Sequence, residues 1–87
     1  MQAVPEAKAS EVTFNEGILR LAAVHGRLVE FRYAKLPDAP IESRSFVPEK
    51  VFLTEGGYHT VVGPDPDREG EYRMYRIDRI KGEVVFA

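Results

Sequence analysis

The sequence predicts a mainly β domain with one N-terminal helix, its strands closing into a small five-stranded antiparallel barrel. Three observations carry that prediction. Apolar residues keep a helical spacing only before Gly26. After Gly26 the spacing drops to two, the period of a half-buried strand. Five short runs of this kind follow, separated by turns rich in glycine, proline and acidic residues. The chain has 87 residues, enough for one domain with a modest core, since a chain of this size buries only roughly 60–65% of its unfolded surface.

Residues 1–10, Met-Gln-Ala-Val-Pro-Glu-Ala-Lys-Ala-Ser, read as a flexible leader, and residues 11–87 as a single domain. Thr13 and Glu16 have the spacing of a capping box, which starts a helix there. Phe14, Ile18, Leu21 and Ala22 give that helix an apolar stripe. Gly17 weakens it by about 0.8–1 kcal/mol relative to alanine. Gly26 suits its C-terminal stop, so the helix covers about 13–25.

Val29, Phe31 and Tyr33 alternate with Glu30 and Arg32 in a first strand. Lys35 to Ser43 holds Pro37 and Pro40 and reads as a loop. Arg44 to Thr54 forms a second strand in which Pro48, lacking an N–H, marks a bend or an edge. Glu55-Gly56-Gly57 turns into a third strand, Tyr58 to Gly63, and Pro64 to Gly70 forms an acidic loop. Tyr72 to Ile77 is the fourth strand, and Gly82 to Phe86 holds the fifth.

Composition removes several function classes. The chain has no cysteine, hence no disulfide, thiolate metal site or cysteine nucleophile. Two histidines without organised carboxylates make no metal site, and the acidic run Asp65 to Glu71 lacks the ligand spacing of a calcium loop. No serine has a nucleophile-elbow context, and there is no phosphate-binding glycine loop. The sequence therefore predicts no enzyme, no metal and no cofactor. No apolar run approaches the ~20 residues of a membrane span. The first residues lack a secretory h-region, which places the expected site of action in the cytoplasm, away from any membrane.

The charge distribution is less ordinary. Between Tyr72 and Lys81 lie Arg73, Arg76, Arg79 and Lys81 against one acid, Asp78, a local charge of +3 in a chain whose net charge is −2. Arginine offers planar, paired donors suited to phosphate, and Tyr33, Tyr58, Tyr72 and Tyr75 could stack on bases. The bland alternative is pairing within the protein: Arg79 with Asp78 or Glu83, Arg73 with Glu71, in exposed pairs worth only ~0.2–1 kcal/mol. Arg76, with no acidic neighbour at ±1, is the preferred ligand contact. A pI of about 5.7 argues against a general duplex binder and for a small anion or a short single strand.

The order of these elements resembles the WYL domain of bacterial transcription regulators and defence-associated proteins. Val29-Glu30-Phe31-Arg32-Tyr33, Arg44-Ser45-Phe46-Val47-Pro48 and Arg73-Met74-Tyr75-Arg76-Ile77-Asp78-Arg79-Ile80 carry the resemblance, the last most specifically. Gly57-Tyr58-His59 stands where the family has Trp-Tyr-Leu. The resemblance implies a barrel of the SH3 or Sm type and a stand-alone sensory domain without the usual winged helix. It implies a regulatory module that binds a nucleotide-like ligand or a short single-stranded nucleic acid through Tyr33, Arg44, Tyr58, Arg73, Arg76 and Arg79. The alternative is a protein–protein interaction or oligomerisation module without a small ligand, acting as a homodimer or on a partner regulator.

Overall fold

The computed structural model describes residues 8–87, so most of the expected leader lies outside the described residues. Its last two residues do not: helix α1 runs over Ala9–His25, four residues earlier than the capping box places its start. Lys8 is the N-cap and makes no side-chain cap bond, so Thr13 lies inside the helix. The C-terminal stop is as expected. Gly26 adopts φ 63°, and Arg27 N donates to Ala22 O at 2.9 Å.

The buried face of α1 is Asn15, Leu19 and Ala22. This corrects the expected stripe, because Phe14 and Leu21 are exposed. The reason is Asn15. Its Nδ2 donates to Gly82 O at 2.9 Å, and Val84 N donates to its Oδ1 at 2.9 Å. One amide side chain thereby satisfies two backbone groups of a strand edge, and that lets a polar residue anchor the helix face.

Six strands follow, rather than five: β1 (Val29–Tyr33), β2 (Glu42–Phe46), β3 (Lys50–Leu53), β4 (His59–Asp65), β5 (Glu71–Arg76) and β6 (Ile80–Phe86). They form two three-stranded antiparallel sheets, ordered β2-β1-β6 and β3-β4-β5, and not one closed barrel. The expected strand from Arg44 to Thr54 is two strands in two sheets, with buried Pro48 between them. Val47 N donates to Pro64 O and Glu49 N to Val62 O, both at 2.9 Å, so the chain is laced to β4 on either side of a residue with no N–H to lose. The crossing is close. A β-carbon at Gly63 would stand 2.0 Å from Val47 O and 3.0 Å from Pro48 Cα, which only glycine avoids.

The two inner faces meet in one core of Leu19, Val29, Phe31, Tyr33, Phe46, Val61, Tyr75, Ile77, Ile80 and Val84, with Ala22 from the helix. Phe31, Tyr33, Phe46 and Tyr75 pack edge to face, ring centroids 5.0–6.0 Å apart, the geometry their ring quadrupoles favour. A 3-10 turn, Ile77–Arg79, then carries the chain from β5 in one sheet to β6 in the other.

Gly63→Ala is expected to lower the unfolding free energy by about 3 kcal/mol or more, through overpacking against rigid backbone. Urea denaturation measures it. A loss under about 1 kcal/mol would mean that the crossing relaxes freely.

Candidate functional site

β2 and β5 are outer strands of their sheets, and they face each other without pairing. Between them opens a cleft of about 420 Å³ lined by Tyr33, Lys35, Leu36, Arg44, Arg73, Met74, Tyr75 and Arg79. Four of these eight residues are cationic and none is acidic. Tyr33 ends β1, Arg44 sits in β2, Arg73 to Tyr75 belong to β5, and Arg79 ends the Ile77–Arg79 turn. Two bonds set the rim. Arg76 N donates to the Tyr33 hydroxyl at 3.1 Å, and Ala34 N donates to Arg79 O at 3.3 Å.

The floor holds an uncompensated polar atom. Tyr75 is 4% exposed, and its hydroxyl has no hydrogen-bond partner among the described residues. It lies beside the Arg73 guanidinium without completing a bond to it. That guanidinium is held above its ordinary pKa first by the Tyr75 hydroxyl; partial burial works against this, and Glu71 and Asp65 add to it. Arg73 is thus charged at every physiological pH.

The six expected ligand residues fall into two groups. Tyr33, Arg44, Arg73 and Arg79 come together in the cleft, while Tyr58 and Arg76 meet elsewhere, the Arg76 guanidinium 3.7 Å from the centre of the Tyr58 ring. Arg76 is also held by Asp78, through Nε to Oδ1 at 2.9 Å and Nη2 to Oδ2 at 2.6 Å. Asp78, offered by sequence as a partner for Arg79, pairs with Arg76.

Exposure separates the ion pairs. Arg44 bonds Glu42, and Arg73 lies 3.5 Å from Glu71, but those carboxylates are 55% and 61% exposed. Such pairs are worth ~0–1 kcal/mol and yield to a competing anion. Asp78 is 15% exposed and engaged through both oxygens, so Arg76 is committed to structure. Among the tyrosines expected to stack, Tyr33 and Tyr75 are buried in the core, and Tyr72 donates to Glu49 at 2.7 Å on the surface. Lys35 and Met74 were not foreseen as site residues. The signal for Lys35 was its place directly after the first strand, where the chain passes the Tyr33 end of the cleft.

No three metal-ligating side chains gather among the described residues, and no helix there is long and apolar enough to cross a membrane. A family model for the WYL domain matches residues 17–84. The chain belongs to the WYL domain family. No curated protein matches it. Among solved structures, proteasome accessory factor B/C (PafBC) of Arthrobacter aurescens superposes with a TM-score of 0.74 at 21% identity. The match covers 99% of this chain and 12% of that one, and the likeness is one of fold. In this WYL domain, Tyr58 is the one residue kept of the family's Trp-Tyr-Leu, and it is the ring on which Arg76 stacks. His59, its neighbour, reaches helix α1, with Nδ1 2.7 Å from Glu16 Oε1.

Asp78→Ala is expected to cost about 1–3 kcal/mol of stability by stranding Arg76. Glu42→Ala and Glu71→Ala should each cost no more than about 1 kcal/mol. Chemical denaturation of the three variants makes the comparison, and equal losses would erase the distinction between structural and available arginines.

Proposed function

We propose that this WYL domain is a ligand-sensing regulatory module whose cleft takes an anionic, nucleotide-like ligand or a short single-stranded nucleic acid. The carrying observation is the cleft's composition: Lys35, Arg44, Arg73 and Arg79 converge with no acid among the lining residues, over a buried tyrosine hydroxyl that lacks a partner. Guanidinium groups suit phosphate oxygens because their donors lie in one plane and in pairs. Arg44 and Arg73 exchange weak, exposed carboxylate partners for a stronger one. The Tyr75 hydroxyl can donate to a phosphate or carbonyl oxygen that reaches the floor. Leu36 and Met74 supply the apolar wall for a base or ring, a role the buried tyrosines do not fill. Tyr58 and Arg76 act at one remove, holding the turn that delivers Arg79.

The net charge of −2 keeps the long-range attraction for duplex DNA low and favours a local, short-range contact. The same cleft suits regulation better than catalysis, because its groups are cations and a phenol with no paired general acid and base among the described residues.

Fluorescence anisotropy with a labelled short single-stranded oligonucleotide, in competition with mononucleotides, tests this reading. Arg44→Ala and Arg73→Ala are each expected to weaken binding about tenfold or more, and affinity should fall as salt rises. Tyr75→Phe is expected to weaken binding while leaving the melting temperature unchanged or higher, since it removes an unsatisfied buried hydroxyl. Absence of binding to every probe at low salt, or binding indifferent to Arg44 and Arg73, would overturn the proposal.

A further inference from the structure

Helix α1 has a second face that the fold leaves bare. Opposite Asn15, Leu19 and Ala22 lie Phe14, Leu21 and Val24, exposed by 47%, 47% and 79%. With 3.6 residues per turn, these three line up with Gly17 on one side of the helix. Gly17 is the midpoint of Ala9–His25, eight residues from either end. Nothing inside the domain asks for a glycine there: a β-carbon at position 17 would meet no atom within 4 Å. The residue thus weakens its own helix without relieving any contact within the chain. A glycine at the centre of an exposed apolar face has one clear physical use, the close approach of another backbone.

We infer that this face pairs with the same face of a second copy of the chain, in an antiparallel helix contact crossing at Gly17. The self-complementarity is readable along the helix. A two-fold axis at Gly17 sets Phe14 of one copy against Leu21 of the other, and Val24 against the small Ser10. This is the isologous arrangement of a symmetric dimer. Because the glycine is central, the whole helix length overlaps. Charge selects the direction. Glu11 lies in the first turn, while Arg20 and His25 lie in the second half, with Arg27 just beyond. Antiparallel pairing sets the acidic start of one helix beside the basic end of the other and opposes their dipoles, whereas parallel pairing would set like beside like. A single helix pair makes a small interface, so the dimer is expected to be reversible, with a dissociation constant on the order of micromolar. The proposal needs no ligand and stands apart from the cleft.

Sedimentation equilibrium on the chain across micromolar concentrations tests it. The expected result is a reversible monomer–dimer equilibrium. Leu21→Glu should raise the dissociation constant at least tenfold with an unchanged circular dichroism spectrum. Gly17→Leu separates this contact from the fold: it replaces glycine by a better helix former, so the dilute monomer should melt at a higher temperature while the dimer is lost. A strict monomer at hundreds of micromolar, which would leave the face to a different protein, overturns the inference. So does a dimer that both variants leave intact, which would place the contact on another surface.

Discussion

The passage of Val47 and Pro48 over Gly63 is the constraint on which the rest of the structure depends. With 2.0 Å between Val47 O and the place of a β-carbon, residue 63 can carry no side chain. The hydrogen bonds on either side, to Pro64 O and Val62 O, make the segment between β2 and β3 part of both sheets. Gly63 is also the register partner of Arg73 across β4 and β5. The same point that joins the sheets therefore fixes where β5 lies relative to β2, and with it the separation of Arg44 and Arg73. The cleft is a consequence of two sheets tied at one end of β2 and left unpaired along its outer edge.

Electrostatics then divides arginines that look alike in one dimension. All three of Arg44, Arg73 and Arg76 have a carboxylate two residues away: Glu42, Glu71 and Asp78. Water decides their meaning. The first two carboxylates are exposed, so solvent and salt compete with the pair and little stability is at stake. The third is enclosed and fully used, and removing it would strand a half-buried charge. A site that exchanges partners has to be built from the first kind and braced by the second. The brace here is the turn Ile77–Arg79, gripped at Arg76 and Asp78 and bonded to Ala34 through Arg79 O.

Much of this order is legible in the sequence, and the exceptions have physical causes. β1 matches its expected bounds because strict alternation on a strand buried on one face leaves no second register. Gly26 ends the helix as its left-handed conformation requires. The helix face was misread because Asn15 looks like a surface residue until Gly82 and Val84 supply its two partners, and those lie 67 and 69 positions away. The six-strand count turns on Pro48. A proline announces a break in a ladder but not a change of sheet, which depends on Gly63, fifteen residues on. The preference for Arg76 failed for a simpler reason. Its lack of acidic neighbours at ±1 carries no information in a strand, where side chains at i and i+2 share a face, and Asp78 is its i+2 neighbour.

The contacts around Tyr58 bear on how such a module signals. Arg79 lines the cleft, and its turn is gripped by Arg76 and Asp78. Arg76 stacks on Tyr58, whose neighbour His59 bonds Glu16 of α1. Each step is a direct contact, and together they join the cleft to the helix whose outer face is bare. Proximity alone does not establish coupling, which requires an element with two arrangements that both sites bias. The turn qualifies better than the strands on either side. It is three residues long, lies between the two sheets, and carries one arginine to the ligand side and one carboxylate to the brace. An anion drawing Arg79 inward acts on a segment whose other hold is the Asp78–Arg76 fork, so any strain reaches Tyr58 before it reaches the core. Linkage then runs both ways: whatever a ligand does to the helix face, an occupant of that face does to the ligand by the same free energy.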